Sequence, residues 1–239
     1  MNLSIAYEDG FKAPAQQLAL ALDLAIDNCA TDQLRITAQG LQLCFGAFKP
    51  LKLDFTQAYW QKRRDAGKTQ GLIKACKPKP GMKIIDVTAG WGRDAAILAS
   101  FGANVLMLEQ HPVVAALLKD ALQTQNSKLL PLSFEHRNAQ EFLTQLTDTT
   151  LFPEVIYIDP MHPQRQKQAL VKKELQILQA WVKPDAIQTH DLIVQACTKV
   201  TQRVVVKWPQ KQAPLLPPDL SFPGKTVRFD VYYRPGACT

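Results

Sequence analysis

A short segment with chemically useful side chains, DPMHP (159–163), follows the apolar run Val155–Ile158. Its two prolines restrict the backbone, so the Asp159 carboxylate and the Pro160 carbonyl are expected to point in fixed directions. Two acceptors held in this way can orient an exocyclic amine on a nucleobase, whose lone pair is otherwise delocalised into the ring. The segment therefore predicts group transfer to an amine with Asp159, Pro160 and His162 as catalytic residues. By itself, Asp-Pro also fits a simple turn or helix cap.

A glycine-containing turn, TAGWG (88–92), joins an apolar run to the segment AAILA (95–99), which has helical spacing. The pattern predicts a strand, a tight turn and a helix, with bare backbone N–H groups where part of a nucleotide can approach. The segment GWGRDA fits the dinucleotide pattern, so a NAD-dependent oxidoreductase is one alternative. However, Asp86 lies four residues before Gly90. A carboxylate there suits the cationic sulfonium and ammonium groups of S-adenosyl-L-methionine (SAM) better than a pyrophosphate.

The elements around this turn predict a parallel, doubly wound sheet. A second strand ends in Glu109, where a carboxylate can accept hydrogen bonds from both ribose hydroxyls of an adenosine. Further strands alternate with helices, which places ligands at the carboxyl ends of the strands. These strands are LSFEH (132–136), VIYID (155–159) and RVVVK (203–207). The alternating segment VRFDVYY (227–233) follows a loop rich in proline and glycine and predicts a late antiparallel strand at the sheet edge.

The first 55 residues have a pattern of their own. They predict a strand over 3–7, a helix over 13–26 and two short strands over 34–38 and 41–45. This order predicts a small α/β cap over residues 1–55, followed by the larger domain over 56–239. The cap carries no evident catalytic group, so we expect it to pack against the larger domain or to dock substrate.

Two basic segments are candidates for contact with nucleic acid. The first surrounds aromatic residues between positions 55 and 79, and the second follows the DPMHP segment. Basic groups beside aromatic ones suit phosphate contact combined with base stacking, although a solvated helix face fits as well. The predicted RNA contacts are Arg63, Arg64, Lys68, Arg165, Lys167, Lys172 and Lys173. A P-loop at Gly67-Lys68-Thr69 is rejected because the earlier glycine and the preceding strand are missing.

The composition is ordinary for a globular protein, with 46% apolar and 21% charged residues among 239 and a formal net charge of +7. The basic balance permits an acidic partner such as nucleic acid. The sequence has neither a long apolar run nor the basic start of a signal peptide, so we expect a cytoplasmic protein without a membrane partner. The five cysteines form no CxxC motif and the four histidines lack ligand spacing, so no metal is expected. We expect a monomer.

Together, several motifs resemble the RsmJ family of bacterial small-subunit rRNA guanine-N2 methyltransferases, within the class I SAM-dependent methyltransferases. The motifs are DVTAGWGRDAAILA, MLEQHPVVAALL, IYIDPMHPQRQKQALVKKE, RVVVKWP and RFDVYY. The resemblance covers most of the chain from Asp54 onward and, more loosely, the cap. It implies a Rossmann-like, mostly parallel sheet and a methyltransferase domain over 56–239. The implied substrate is the N2 amine of guanine 1516, in rRNA numbering, with 16S rRNA or the small ribosomal subunit as partner.

The resemblance also implies a set of cofactor contacts. Asn138 and Ala139 stand where the family has a polar pair, and Ala139 has no side-chain donor for an adenine. His162 stands where the family usually has phenylalanine, and it can still stack on a flipped guanine. With the residues of the glycine turn, the predicted cofactor set is Asp86, Gly90, Gly92, Arg93, Asp94, Glu109, Gln110, Asn138, Ala139 and Asp159. A non-catalytic module that binds nucleotide or RNA is the alternative from another functional class.

Overall fold

A computed structural model describes residues 3–56, 60–61, 64–65, 70–124, 130–160 and 186–234. Its N-terminal part forms a three-stranded sheet in the order β1-β2-β3, with β1 parallel and β3 antiparallel to β2. The elements are β1 (Ser4–Tyr7), α1 (Lys12–Leu22), β2 (Gln33–Thr37) and β3 (Gly40–Cys44). The predicted order of strands and helix in the cap is confirmed.

The predicted helix over 13–26 is too long, because α1 ends at Leu22. Asp23 adopts a left-handed conformation with a φ of 52°, and the N–H of Leu24 donates to the carbonyl of Ala19. Ile26 then pairs with Ile5 of β1 in an isolated bridge. The apolar pattern of the sequence extends past Leu22 because Ile26 belongs to a segment that lies beside the small sheet. The pattern therefore predicted too long a helix.

The remaining strands form one seven-stranded sheet in the order β6-β5-β4-β7-β8-β10-β9. Its members are β4 (Lys83–Asp86), β5 (Asn104–Glu109), β6 (Leu132–His136), β7 (Val155–Ile158), β8 (Arg203–Pro209), β9 (Leu220–Phe222) and β10 (Val227–Tyr233). Pairing is parallel from β6 to β8, and β10 is antiparallel to β8, which confirms the predicted fold class. The edge position predicted for β10 is wrong, because β9 pairs with its outer side. β9 has only three residues, too few for a visible alternation.

Helices cover both faces of the large sheet. They are α2 (Gly71–Cys76), α3 (Arg93–Ala99), α4 (Pro112–Thr124), α5 (Ala139–Gln145) and α6 (Ala186–Thr198). On β7, Val155 and Tyr157 join the apolar cluster on one face, whereas Ile156 and Ile158 join the cluster on the other. Because successive side chains of a strand point to opposite faces, a strand buried on both sides needs a continuous apolar run.

The cap packs on α4 and shares a hydrophobic core with it. Ile5 and Leu34 of the cap belong to the same buried cluster as Leu117 and Leu118 of α4. The N–H of Leu41 also donates to Asp120 Oδ2 of α4 at 2.8 Å. The cap therefore covers one helical face of the large sheet, and the domain boundary at residue 55 stays a prediction.

Candidate active site

Three neighbouring strands bring polar side chains together at the carboxyl edge of the sheet. Asp86 ends β4 and pairs in register with Tyr157 of β7. Ile158 pairs with Val206, so the next residues on β7 and β8, Asp159 and Lys207, lie side by side. The glycine turn then starts α3 at Arg93, directly above this edge. Parallel pairing and the short turn thus assemble a site from positions far apart in sequence.

A single ammonium group links two carboxylates of this site. Lys207 Nζ donates to Asp159 Oδ2 at 2.6 Å and to Asp94 Oδ2 at 2.9 Å. The hydroxyl of the fully buried Tyr157 also donates to Asp94 Oδ2, at 2.8 Å. The side chains of Lys207, Asp94 and Asp159 are 25%, 16% and 31% exposed. The cluster is therefore largely covered by protein yet accessible at Asp159.

Burial and mutual repulsion shift the acid–base properties of the cluster. Burial raises the pKa of Asp86 well above its ordinary value; the N–H of Thr88 opposes this shift, while Asp94 and Asp159 add to it. Burial also raises the pKa of Asp159, and the Lys207 ammonium acts in the opposite direction. For Lys207 itself, burial acts to lower the pKa, but the two carboxylates outweigh it and the pKa is raised. Among the described residues, three carboxyl groups surround one ammonium, an arrangement that favours a cationic ligand.

The glycine turn holds Glu109 through backbone N–H groups. Gly90 donates to Glu109 Oε2 at 2.9 Å, and His111 donates to Oε1 at 2.7 Å. Burial raises the pKa of Glu109, and these two N–H groups act to lower it. Each carboxylate oxygen keeps capacity for a further hydrogen bond, so Glu109 can accept from ribose hydroxyls in a fixed orientation.

Both glycines of the turn have conformations that other residues rarely adopt. The φ angles are 51° at Gly90 and 69° at Gly92. A Cβ on Gly92 would also lie 2.7 Å from Phe55 Cζ, so the Phe55 ring would have to move to admit a side chain there. Beside the turn, Arg93 and Trp91 line a cavity of about 160 Å³ together with residues 51–55. The close approach of Phe55 is a structural reason for glycine that the sequence alone does not give.

At the end of β6, the side chain of Asn138 is committed to contacts within the protein. Its Oδ1 accepts from the N–H groups of Gln140 and Glu141, which caps α5. Its Nδ2 donates to Gln110 Oε1 at 2.7 Å, which ties α5 to the segment after β5. Ala139 is the first residue of α5, where backbone N–H groups lack partners within the helix. The predicted pair therefore offers a backbone donor at Ala139 rather than the Asn138 amide.

The other predicted residues are distributed as follows. Pro160 is buried, and the Asp159 N–H that precedes it donates to Thr88 Oγ1 at 2.6 Å. The guanidinium of Arg64 lies 5.7 Å from the ring centroid of Phe101, beyond the end of α3 remote from Asp94. The structure therefore does not bring Arg64 to the strand-end cluster. The predicted residues outside the described part of the chain are Arg63, Lys68, His162, Arg165, Lys167, Lys172 and Lys173.

Sequence reasoning missed the roles of Lys207, Tyr157 and Thr88. A signal for Lys207 was present, because a charged residue interrupts the apolar strand RVVVKW near its carboxyl end. In a parallel sheet that end faces the ligand. Tyr157 gave no comparable signal, since an aromatic residue in a buried strand ordinarily belongs to the core.

Comparisons with known proteins agree with this geometry. Residues 17–234 match the family described as "Putative SAM-dependent methyltransferase". A relative in Legionella pneumophila (strain Lens), named ribosomal RNA small subunit methyltransferase J, is 52% identical over 96% of this chain and 95% of its own length. The chain belongs to the RsmJ family of SAM-dependent methyltransferases. A second member, with the same name, from Dechloromonas aromatica (strain RCB), is 37% identical over 93% of this chain and 96% of its own.

A solved structure supports the fold of this family member. The SAM-dependent methyltransferase from Neisseria gonorrhoeae superposes with a TM-score of 0.72 at 27% identity, covering 98% of this chain and 97% of that one. Among the described residues of this protein, no helix combines the length and apolar character needed to cross a membrane. The residues that the structure places also include no group of three or more His, Cys, Asp or Glu side chains suited to a metal ion.

SAM is the cofactor of this family, and the site fits it. The excess of carboxyl groups among the described residues, at the buried Asp86 and the partly buried Asp94 and Asp159, complements a sulfonium and an ammonium group. The same excess opposes the pyrophosphate of a dinucleotide, which removes the physical support for a NAD-dependent oxidoreductase. Asp86 and the glycine turn could hold the amino-acid end of SAM, and Glu109 could hold its ribose.

Proposed function

We propose that this protein transfers the methyl group of SAM to the exocyclic N2 amine of a guanine in small-subunit rRNA. The observation that carries the proposal is the position of Asp159, which follows β7 at the carboxyl edge and is held from two sides, by Lys207 and by Thr88. The names of the two relatives support small-subunit rRNA as the substrate. Guanine 1516 is the proposed nucleotide.

The chain contributes acceptors that are fixed before the substrate arrives. When bound, SAM supplies a methyl group made electrophilic by its sulfonium. Asp159 accepts one N–H of the amine and the Pro160 carbonyl accepts the other, which aligns the nitrogen lone pair for attack. No strong base is required beforehand, because the amine becomes acidic once it carries the methyl group. Its proton then leaves to the Asp159 carboxylate or to water.

Binding residues surround these acceptors. We propose that Glu109 holds the ribose and that the backbone of Ala139 holds the adenine edge, with Gln110 beside it. We also propose that His162 stacks on the flipped guanine and that the two basic segments contact phosphates. Among the basic set, Arg64 is distant from the strand-end cluster, so its phosphate contact would lie outside the catalytic pocket. The boundary at residue 55, the monomeric state and the cytoplasmic location remain predictions.

The decisive experiment identifies the product. Small-subunit rRNA and assembled small subunits, both lacking the modification, are incubated with SAM labelled in its methyl group, and the nucleosides are then separated. We expect label in N2-methylguanosine only. Label on a ring carbon, a ribose or an adenine would contradict the assignment of the DPMHP segment. RNA binding without any transfer to either substrate would favour the non-catalytic binding module.

A further inference from the structure

We propose that Lys207 is a positioning residue that keeps Asp159 ionised and leaves one of its oxygens for the substrate amine. The inference rests on the proposed function, because it concerns how Asp159 serves amine methylation. Neither the motif that predicted the acceptor loop nor the cofactor set included Lys207.

The geometry restricts the Asp159 carboxylate from two directions. Lys207 binds Oδ2 at 2.6 Å, while the Asp159 backbone N–H is fixed on Thr88 Oγ1 at 2.6 Å. The charge-assisted bond therefore uses Oδ2, and among the described residues no hydrogen bond reaches Oδ1, which we propose accepts from the amine. The same ammonium binds Asp94 Oδ2 at 2.9 Å, so that rotation of Lys207 away from Asp159 would also break a second ion pair.

The backbone that carries Lys207 is itself held rigidly. Its neighbours Val206 and Trp208 are buried, and Trp208 Nε1 donates to the carbonyl of Ala213 in the loop after β8. β8 pairs with β7 on one side and with β10 on the other. A side chain on a strand paired on both sides gives its terminal atom a well-defined position relative to the neighbouring strand.

The charges around Asp159 make an ammonium necessary. In the part of the chain that the structure describes, the groups that face it are Asp86 from β4, Asp94 from α3, the Tyr157 hydroxyl from β7 and Lys207 from β8. Without Lys207, the attraction that lowers the pKa of Asp159 is lost, while burial and the Asp94 carboxylate continue to raise it, so protonation of Asp159 is favoured. A protonated Asp159 would donate a hydrogen bond to the amine instead of accepting one.

Lys207 does not act as the base. In the transfer, the amine nitrogen forms a bond to the methyl carbon as the carbon–sulfur bond breaks, and that electron pair stays on sulfur, which becomes a neutral thioether. The extra proton on nitrogen goes to Asp159 or water. Although burial acts to lower the pKa of Lys207, the carboxylates raise it above its ordinary value, so the ammonium keeps its protons throughout.

The test compares variants that remove or keep the charge. Lys207→Met and Lys207→Gln remove the charge, and Lys207→Arg keeps it. Lys199→Met is the control, because Lys199 precedes β8 and its Nζ donates to the carbonyl of Leu146. Single-turnover methyl transfer is measured between about pH 5.5 and 9. Because loss of the cation raises the pKa of Asp159, its ionised fraction at neutral pH falls. We expect transfer at pH 7 to fall on the order of 10- to 100-fold for Met and Gln, with recovery at high pH.

Lys207→Arg and the control Lys199→Met distinguish a role of the Lys207 charge from a merely structural role. Lys207→Arg should keep the pH profile of the wild type, and Lys199→Met should stay within about twofold at every pH. A uniform loss in Lys207→Met without a shifted profile would overturn the proposal. If Lys207→Met does not fold, Lys207→Gln carries the same expectation and the same refutation.

Two measurements test the inference without relying on the rate of the loaded enzyme alone. SAM affinity by calorimetry should be unchanged within about threefold or become tighter in Lys207→Met, because a cation near a cationic ligand is lost. Thermal unfolding of the cofactor-free protein should show a wild-type advantage over Lys207→Met that grows as pH rises from about 5 to 8. In Lys207→Met the pKa of Asp159 is expected to be raised in the folded state, and a protein with such a carboxyl group becomes less stable as pH rises across that window. Much weaker SAM binding or a pH-independent difference would refute the role.

A double variant separates this inference from the proposed function. If Lys207 acts through Asp159, then adding Lys207→Met to Asp159→Asn should cause little further loss of transfer. Multiplied losses would show that the two residues act independently and would overturn the proposal. Absence of guanine methylation by the wild type would instead refute the proposed function, whereas normal wild-type transfer with an unchanged Lys207→Met would refute only the role of Lys207.

Discussion

Two ion-pair clusters lie near the paired strands β8 and β10, and they differ in burial and in charge balance. Arg228 donates through Nε to both oxygens of Asp230 at 2.9 Å, and its Nη1 donates to three backbone carbonyls, of Pro209, Gln210 and Gln212. The hydroxyl of Ser221 also donates to Asp230 Oδ1. One guanidinium thus meets one carboxylate, and protein groups surround both.

The strand-end cluster is unbalanced by contrast. Where the structure describes the chain, one ammonium group, on Lys207, pairs with both Asp94 and Asp159, and Asp86 adds a third carboxyl group. Asp159 remains 31% exposed, whereas Asp230 is 1% exposed. The comparison indicates different roles for the two clusters. The Arg228–Asp230 pair is neutral and bonded within the protein, which suits a role in the fold, whereas the strand-end cluster has surplus negative charge and an exposed carboxylate, which suits binding of a cationic ligand.

The largest expected effect is on the stability of the fold, at the Arg228–Asp230 pair. Arg228→Met leaves the Asp230 carboxylate buried without its cation and frees the carbonyls of the loop after β8. We expect the free energy of unfolding to fall by about 3–5 kcal/mol, measured by urea denaturation. The double variant Arg228→Met/Asp230→Leu should recover part of this loss. If Arg228→Met unfolds at the wild-type urea concentration, the pair has no role in holding the loop.

The next effect is on catalysis, at the unbalanced cluster. Asp159→Asn keeps the side-chain size but removes the charge and presents an NH₂ group to the amine. Single-turnover methyl transfer should fall on the order of 100-fold or more, with RNA binding changed far less, because the lost interaction belongs mainly to the transition state. Asp9→Asn, at an exposed turn of the cap, is the matched control. Near-normal transfer by Asp159→Asn would remove this carboxylate from the mechanism.

A smaller effect is expected at Glu109, which is fixed by backbone donors and has capacity for ligand. Glu109→Ala should weaken SAM binding by about 1.5–3 kcal/mol, the range for hydrogen bonds to a charged group. Calorimetry gives the affinity, and the unfolding transition shows whether the variant is folded. Glu154→Ala is the control, since Glu154 bonds the N–H of Lys83 at the opposite end of β4. Unchanged affinity in a folded Glu109→Ala would disprove the ribose assignment.

The smallest effect concerns the first basic segment, in which Arg64 lies away from the strand-end cluster. Reversing Arg63 and Arg64 to Glu should reduce RNA affinity and lower the slope of its salt dependence by about 2, without changing SAM binding. The control reverses Lys12 and Lys119, two exposed lysines on the cap side of the molecule, and so changes the net charge equally. Equal salt slopes for the two variants would indicate a solvated helix face rather than an RNA contact.

The sequence by itself determined the order of elements in the cap, the strands β4 to β8 and β10, and the strand-end residues Asp86, Glu109 and Asp159. These are local properties, because an apolar run, a glycine turn and the residue that follows a strand lie within a few positions of one another. Only the tertiary structure decided that Lys207 meets Asp94, a contact between residues 113 positions apart. It also placed β9 at the sheet edge and the cap on α4. Such pairings depend on which strands become neighbours, and local patterns carry no information about distant partners.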